Sequence, residues 1–357
     1  MQYPDYVLIM AGGVGASFWP LSNKHCPKQF LDVMGTGQTM LQQTYNRFCK
    51  MLPKENIYVT TFQNYTALVH EQLPGLPEEN IIGEPLRKNT AACITYTCFK
   101  LMKKNPEATL LVAPADHQIL NEEEFQRVCE KGSQFVMNRD ALVTLGIKPT
   151  YASTGYGYIQ KYHQEVESDI YPVRQYIEKP YLELAKSFIK NDNFLWNSGI
   201  FIWKIKDVLK ACKAYLPELF YLFDNARNTL DTLHEEECLK DVYEKCQNIS
   251  IDFGIMEKAD NVFIIPSSFE WCDLGTWSSA WENMEKDYQS NAVTGNNVVV
   301  IESARCVVHA APEKIVIVEG LEDYIVVDTK DGLLICRKEK EKEVRSYIAE
   351  IKKTKQN

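Results

Sequence analysis

The segment Met10–Phe30, MAGGVGASFWPLSNKHCPKQF, follows directly on the apolar run YVLIM at 6–10. A short aliphatic run that ends in glycines reads as a buried strand opening into a loop. Gly12, Gly13 and Gly15 let the backbone turn sharply and bring its N–H groups up to phosphate oxygens with no side chain between. Two phosphate-loop signatures are excluded. There is no GxxxxGK followed by Ser or Thr, and Phe18 stands where the dinucleotide fingerprint GxGxxG needs its third glycine. Lys28, in PKQFL, adds a cation downstream of the same strand end, with a solvated surface lysine as the plain alternative.

Working outward, apolar runs at 6–10, 57–61, 80–84, 109–113 and 141–147 alternate with segments whose apolar residues recur every three or four positions, such as NTAACITYTCFKLMKK. Strands alternating with helices predict crossovers and a mostly parallel sheet, with ligands at the carboxyl ends of the strands. Thr39 and Asn89 read as helix N-caps. From 150 to 205 the runs TGYGYIQKY, PVRQYIEKP and WNSGIFIWK predict an antiparallel addition over the mouth of the sheet, interrupted by one helix near 183–190. Residues 206–247 read as helical, SIDFGIMEKAD as one further helix start, and a helix is expected to run to about Met284. After that, short Val/Ile runs broken by NN, ESA, APEK, EGLED and TKDG suit a small β-solenoid or barrel, closed by a charged helix. The domain boundary is placed near Gln289.

With 357 residues, 45% of them hydrophobic, the chain can bury a full core and more than one domain. A net charge of -9 leaves no basic field for a nucleic acid backbone, so that partner class is excluded. The eleven cysteines form no CxxC pair and sit in apolar runs, as reduced core thiols of a cytosolic protein do. The N-terminus carries no basic leader and no apolar stretch of bilayer length, so no membrane role and a cytoplasmic location are expected.

Two carboxylates stand just beyond apolar strands, Asp116 in LLVAPADH and Asp273 in EWCDLGTW. Each alone reads as a turn or helix cap. As a pair they match what Mg²⁺ takes, one or two carboxylates with water and phosphate oxygens filling the rest. His117 reads as a local hydrogen-bonding partner. In YIEKP, Glu178 and Lys179 in extended geometry would point to opposite faces, one toward a sugar hydroxyl and one toward a phosphate, or form a plain surface pair. Asn197, in WNSGIF, suits a carbohydrate subsite or a tight turn.

The segments AGGVGASFWPLS, PKQFL, GEPLRKNTA, PADH, GIKPT, TGYGYI, YIEKP, WNSGIF, SIDFGIMEK and WCDLGTW, in this order over residues 11–277, resemble the motifs of the mannose-1-phosphate guanylyltransferases. The resemblance implies an α/β fold: a Rossmann-like, GT-A-like nucleotidyltransferase domain with a mixed, mostly parallel sheet over 1–289, and a small left-handed β-helix with a C-terminal helix over 290–357. It implies GTP and mannose 1-phosphate as substrates, GDP-mannose as product, Mg²⁺ as cofactor and a homodimer. It further implies that Gly12, Gly13 and Gly15 wrap the GTP phosphates, and that Glu84, Asn89 and Thr90 place the nucleoside. Asp116 and Asp273 would hold Mg²⁺. Gly146, Gly157, Glu178, Asn197 and Gly199 would line the mannose subsite, with Lys179 on its phosphate and Lys28 on those of the nucleotide.

One position departs from the family pattern. Where members read GxGxRxWPLSR, this chain has Ser17 in place of the arginine expected on the departing phosphates, and Asn23 at the second basic position. A hydroxyl donates one hydrogen bond but supplies neither charge nor a bidentate fork. Loss of one such transition-state donor costs about 10²- to 10³-fold in rate. Lys24, two positions from the end of the motif, offers partial compensation, at the wrong spacing for a simple exchange. Three readings stand at this level: a slow enzyme relying on Lys28, Lys179 and metal; a paralogue that binds GDP-mannose as a weakened or regulatory protein; or an engineered variant. On the first reading, Ser17→Arg is expected to raise turnover about tenfold or more.

Overall fold

The structure, a computed structural model, describes residues 3–13, 17–311 and 313–354, the last four of them by backbone alone. The chain divides into two compact units that do not follow chain order. One comprises residues 1–12, 44–115 and 119–271, the other 13–43, 116–118 and 272–357.

The first unit is built on a nine-stranded sheet: β1 (Tyr6–Met10), β2 (Ile57–Phe62), β3 (Ile81–Glu84), β4 (Thr109–Pro114), β5 (Leu142–Ile147), β6 (Tyr158–Lys161), β7 (Tyr171–Ile177), β8 (Phe194–Lys204) and β9 (Val262–Ser267). Their order is β3-β2-β1-β4-β8-β5-β9-β7-β6. Pairing is parallel across β3-β2-β1-β4 and between β5 and β9, as the alternation of strands and helices predicts. It is antiparallel wherever β6, β7 or β8 joins, so the sheet is mixed.

One expectation is corrected here. The run FLWNSGIFIWK is not an addition over the mouth of the sheet: β8 lies inside it, between β4 and β5. Its length explains the placement. Eleven residues, nearly all buried, cover both faces of a central strand, and its Phe201 and Trp203 rings stack at 5.3 Å within the core. Burying an aromatic side chain of that size contributes ~1.5–3 kcal/mol. Only β6 and β7 form the antiparallel edge.

In the second unit, β10 (Ala292–Thr294), β12 (Val307–Ala310) and β14 (Tyr324–Asp328) pair in parallel, β15 (Leu333–Arg337) closes antiparallel on β14, and β11 (Val298–Ile301) pairs in parallel with β13 (Val316–Glu319). Parallel neighbours one coil apart along the chain make this a β-helix, which selects the solenoid from the two architectures that the evenly spaced Val/Ile runs left open and agrees with the resemblance. Its interior joins a cluster that includes Phe18, Val33, Leu274, Trp277 and Val344. The loop downstream of the glycines is thus packed on the C-terminal segment, with the Phe18 and Trp277 rings edge to face at 5.0 Å.

Helix starts follow their caps in part. Thr39 and Gln42 cap each other reciprocally ahead of the helix Met40–Cys49. Asn89 is not an N-cap. It begins the helix Asn89–Met102 at φ +67°, and its side chain accepts from the neighbouring Thr90 N–H. Asparagine tolerates this left-handed conformation better than most residues. SIDFGIMEKAD forms a single wide π-helical turn at Asp252–Met256. Among the described residues, no helix is long and apolar enough to cross a membrane.

Candidate active site

The sequence-predicted residues fall into two sets, one in each unit. In the second unit, Gly13 is held by its carbonyl, which accepts from Gln29 Nε2 at 3.1 Å. Gly15 lies outside the described residues. Lys28 is the organising group. Its Nζ lies 2.9 Å from Asp116 Oδ2 and donates to the backbone carbonyls of Asp273 and Leu274, both at 3.2 Å. One ammonium therefore gathers the two positions that the sequence proposed as metal carboxylates. Burial pushes the Asp116 carboxyl up, but Lys28 and His117 outweigh it and hold the group below the usual carboxylate range. Asp273 Oδ1 accepts from Gly275 N, which fixes the turn ahead of the helix Trp277–Asn283, while Thr276 caps that helix. Lys28 thus meets the carboxylate of Asp116 but only the backbone carbonyl at Asp273, whose own carboxylate faces Gly275 N; one or two carboxylates, with water and phosphate in the remaining places, is the donor chemistry a divalent ion takes. No group of three or more His, Cys, Asp or Glu side chains competes as a metal cage among the described residues.

The departure from the family pattern takes definite form here. Asn23 is a turn residue: its Oδ1 accepts from His25 N and Cys26 N, and its Nδ2 donates to Asp331. Lys24 is exposed. Ser17 Oγ accepts a 2.9 Å hydrogen bond from Arg345 Nη2, which comes from the C-terminal helix Val344–Thr354.

In the first unit, an added Cβ on Gly12 would meet, among the described residues, Glu84 Oε2 at 3.9 Å, an ordinary contact distance. Glu84 ends β3, is 6% exposed, and accepts from Tyr243 OH at 3.0 Å. Burial pushes its carboxyl up to about 8, against weaker opposing pulls from Tyr243, Thr60 and Arg87. Near neutrality it is mostly protonated and can donate as well as accept. Thr90 Oγ1 accepts from Ile251 N at 2.8 Å, tying the start of its helix to the SIDFG segment.

Around β6 and β8, Asn197 N donates to Gly157 O at 2.9 Å, Asn197 Oδ1 accepts from Gly199 N, and Asn197 Nδ2 donates to Asp252 Oδ1 at 2.6 Å. Gly199 has φ +68°, and the register of β8 against β5 shifts here, a bulge that breaks strand alternation at the amide. A Cβ on Gly157 would lie 2.8 Å from Glu178 Oε2. Gly157, Glu178, Asn197 and Gly199 are thus one contiguous group. Tyr151 and Tyr156 each pack edge-on to Trp196, with centroids at 4.9 Å, beside it in sequence. One expectation changes, and one glycine gains a packing reason. Glu178 and Lys179 do not point to opposite faces: Lys179 has φ +40°, which breaks the alternation, and its Nζ pairs with Glu178 at 2.8 Å. Gly146 is a packing glycine, since a Cβ there would stand 2.4 Å from Ile264 Cδ1 and 2.8 Å from Leu195 Cδ1. Gly146→Ala is expected to destabilise the protein by roughly 1–3 kcal/mol through overpacking, read as a lowered denaturation midpoint at unchanged slope.

Sequence reasoning missed two carboxylates in its own SIDFGIMEK motif. Asp252 is raised by burial against its hydrogen bond from Asn197, and Glu257 by burial and then by Asp252 and Glu178. Their signal was the acid at each end of an otherwise apolar turn. π-Helical turns recur at functional sites because they re-aim side chains that a regular helix would turn away.

Several known proteins resemble this chain over nearly its whole length. The family model described as Nucleotidyl transferase matches residues 6–290, and that of the MannoseP isomerase/GMP-like beta-helix domain matches 296–351. A mannose-1-phosphate guanylyltransferase of Salmonella montevideo is 35% identical over 97% of this chain and 73% of its own length. One of Escherichia coli is 32% identical over 98% of this chain and 76% of its own. The crystal structure of mannose-1-phosphate geranyltransferase from Thermus thermophilus superposes with a TM-score of 0.87 at 28% identity, covering 97% of this chain and 99% of that one.

Proposed function

The chain belongs to the nucleotidyl transferase family, among its mannose-1-phosphate guanylyltransferases, and from that premise we propose that it transfers GMP from GTP to mannose 1-phosphate. A phosphate oxygen of mannose 1-phosphate attacks the α-phosphorus, the bond to the bridging β-phosphate oxygen breaks, and pyrophosphate leaves with the electron pair as GDP-mannose forms. The nucleophile is already an anion, so no general base is needed; positioning and charge neutralisation supply the catalysis. This accounts for a site with lysines and carboxylates but no catalytic histidine.

The observation that carries the reading is Lys28 joined to both Asp116 and the Asp273 turn. Lys28 holds nucleotide phosphate, and Asp116 with Asp273 would hold Mg²⁺, which when bound neutralises phosphate charge. Gly12, Gly13 and Gly15 follow the phosphates with backbone N–H groups, while Glu84, Asn89 and Thr90 place the nucleoside. Glu178, Asn197 and the backbone at Gly146, Gly157 and Gly199 receive the mannose, and Lys179 its phosphate. A cytoplasmic location, suited to eleven free cysteines, and a homodimer complete the proposal, as does a division into nucleotidyltransferase (1–289) and β-helix (290–357) domains. The rival, a weakened GDP-mannose-binding paralogue, rests on Ser17 alone.

Pyrophosphate release from GTP and mannose 1-phosphate with Mg²⁺ separates the two. Turnover that disappears in Asp116→Ala is expected. Release no greater than in that variant, with GDP-mannose still bound, would sink the enzyme reading.

A further inference from the structure

We propose that Arg345, carried by the C-terminal helix, is the cationic residue that holds the departing phosphates of the nucleotide at Ser17. The proposal rests on the guanylyltransferase reading for the identity of those phosphates. Ser17, just downstream of the glycine loop, has no charge of its own, yet a guanidinium from 328 residues further along the chain reaches it at 2.9 Å. The approach is built in at several points. Val344 is 7% exposed and packs in the cluster that holds Phe18 and Trp277, so the helix start is fixed on the loop. One turn earlier, Glu341 accepts from the backbone N–H of Trp277 and Ser278 and, at 2.7 Å, from Ser278 Oγ. These three donors occupy the Glu341 carboxylate. Arg345 forms no ion pair with a carboxylate among the described residues, whereas most other arginines of the chain do.

A cavity of about 180 Å³ lies at this point, with Ser17, Gly275, Thr276, Glu341, Lys342 and Arg345 on its polar side and Trp19, Trp277, Leu334 and Val344 as its apolar wall. Gly275 and Thr276 continue directly from Asp273, and Asp273 shares Lys28 with Asp116. The cavity therefore adjoins, within one unit, the residues assigned to metal and phosphate. Its two cations outnumber its one engaged carboxylate, which suits a polyanion such as pyrophosphate. Of the five N–H donors of a guanidinium, Ser17 engages one, and a planar fork suits phosphate oxygens bidentately. Ser17 then acts as the acceptor that orients Arg345. The charge absent from the loop is supplied from the other end of the chain, and Ser17→Arg in the wild-type background is expected to add little, because it sets two guanidiniums against each other. This revises the gain expected from sequence alone.

The test uses the full chain and two readouts: binding of inorganic pyrophosphate with Mg²⁺ by calorimetry, and kcat and KM for GDP-mannose formation. Arg345→Gln keeps a donor for Ser17 but removes the charge. It is expected to weaken pyrophosphate binding at least about tenfold and lower kcat about 10²-fold, with Arg345→Lys intermediate. Ser17→Arg combined with Arg345→Gln is expected to recover both. A merely structural role would instead lower the melting temperature in Arg345→Gln, and the added loop arginine would leave the losses in place. Pyrophosphate binding and kcat in Arg345→Gln within about threefold of wild type would overturn the proposal. A wild type that binds pyrophosphate through Arg345 yet forms no GDP-mannose would keep this site and remove the guanylyltransferase reading. A wild type that binds no pyrophosphate would overturn the site itself.

Discussion

Asp116→Asn is expected to lower the rate of pyrophosphate release about 10³-fold, which is ~4 kcal/mol of transition-state stabilisation. The carboxylate does two things at once. It pairs with Lys28 at 2.9 Å, and its depressed titration keeps it charged well into the acidic range, as a cation ligand must be. The asparagine keeps the shape but removes the charge that would hold a divalent ion, and Lys28 retains the carbonyls of Asp273 and Leu274. The side chains of the pair are only 14% and 20% exposed, so removing the carboxylate charge leaves a largely buried ammonium with neutral acceptors and is expected to lower the melting temperature too; the rates are compared at a temperature where both proteins are folded. A rate within about threefold of wild type, measured at saturating substrates, would remove Asp116 from the site.

Glu84→Gln is expected to change how stability depends on pH more than any other single substitution considered for this chain. Burial raises the Glu84 carboxyl from its ordinary 4.5 to about 8, so between these values the folded state binds a proton that the unfolded state has released. Its contribution is complete below the unfolded value and is lost as pH rises through the folded one. Each pH unit inside the window removes ~1.4 kcal/mol. Glutamine has no proton to lose and keeps an oxygen for Tyr243 OH. From pH 5 to pH 8, the stability of Glu84→Gln relative to wild type is therefore expected to rise by roughly 3 kcal/mol, read from urea titrations at the two pH values. Parallel stability curves would mean that Glu84 is ionised throughout. The same substitution tests the nucleoside role, since it leaves a donor and an acceptor at the end of β3 and is expected to affect KM for GTP more than kcat.

Much of the site was legible as residue types in sequence. The glycines after YVLIM, the acids after apolar strands and Lys28 all announce themselves locally, because a strand end and a turn need only neighbours to form. Relations between those residues were not legible. Extended alternation put Glu178 and Lys179 on opposite faces, and one left-handed φ at Lys179 paired them instead. Nor did the sequence show that Gly146, a subsite position by resemblance, leaves the space of a Cβ to the side chains of Ile264 and Leu195. Asp252 was within sight, but only a π-helical turn and its hydrogen bond from Asn197 bring it to the group around Glu178.

The strand–helix alternation, the evenly spaced short strands after 290 and the types of charged group were determined by the sequence alone, since period and turn chemistry are local properties of the chain; the pattern left solenoid and barrel open. Tertiary structure decided that β8 runs through the centre of the sheet, that one ammonium gathers Asp116 and the Asp273 turn, and that residues 13–43 fold with the C-terminal segment. It also placed Arg345 on Ser17. The physical reason is that hydrogen bonds and ion pairs depend on distance in space, and at a separation of 328 residues that distance is set by packing rather than by anything the two segments show separately.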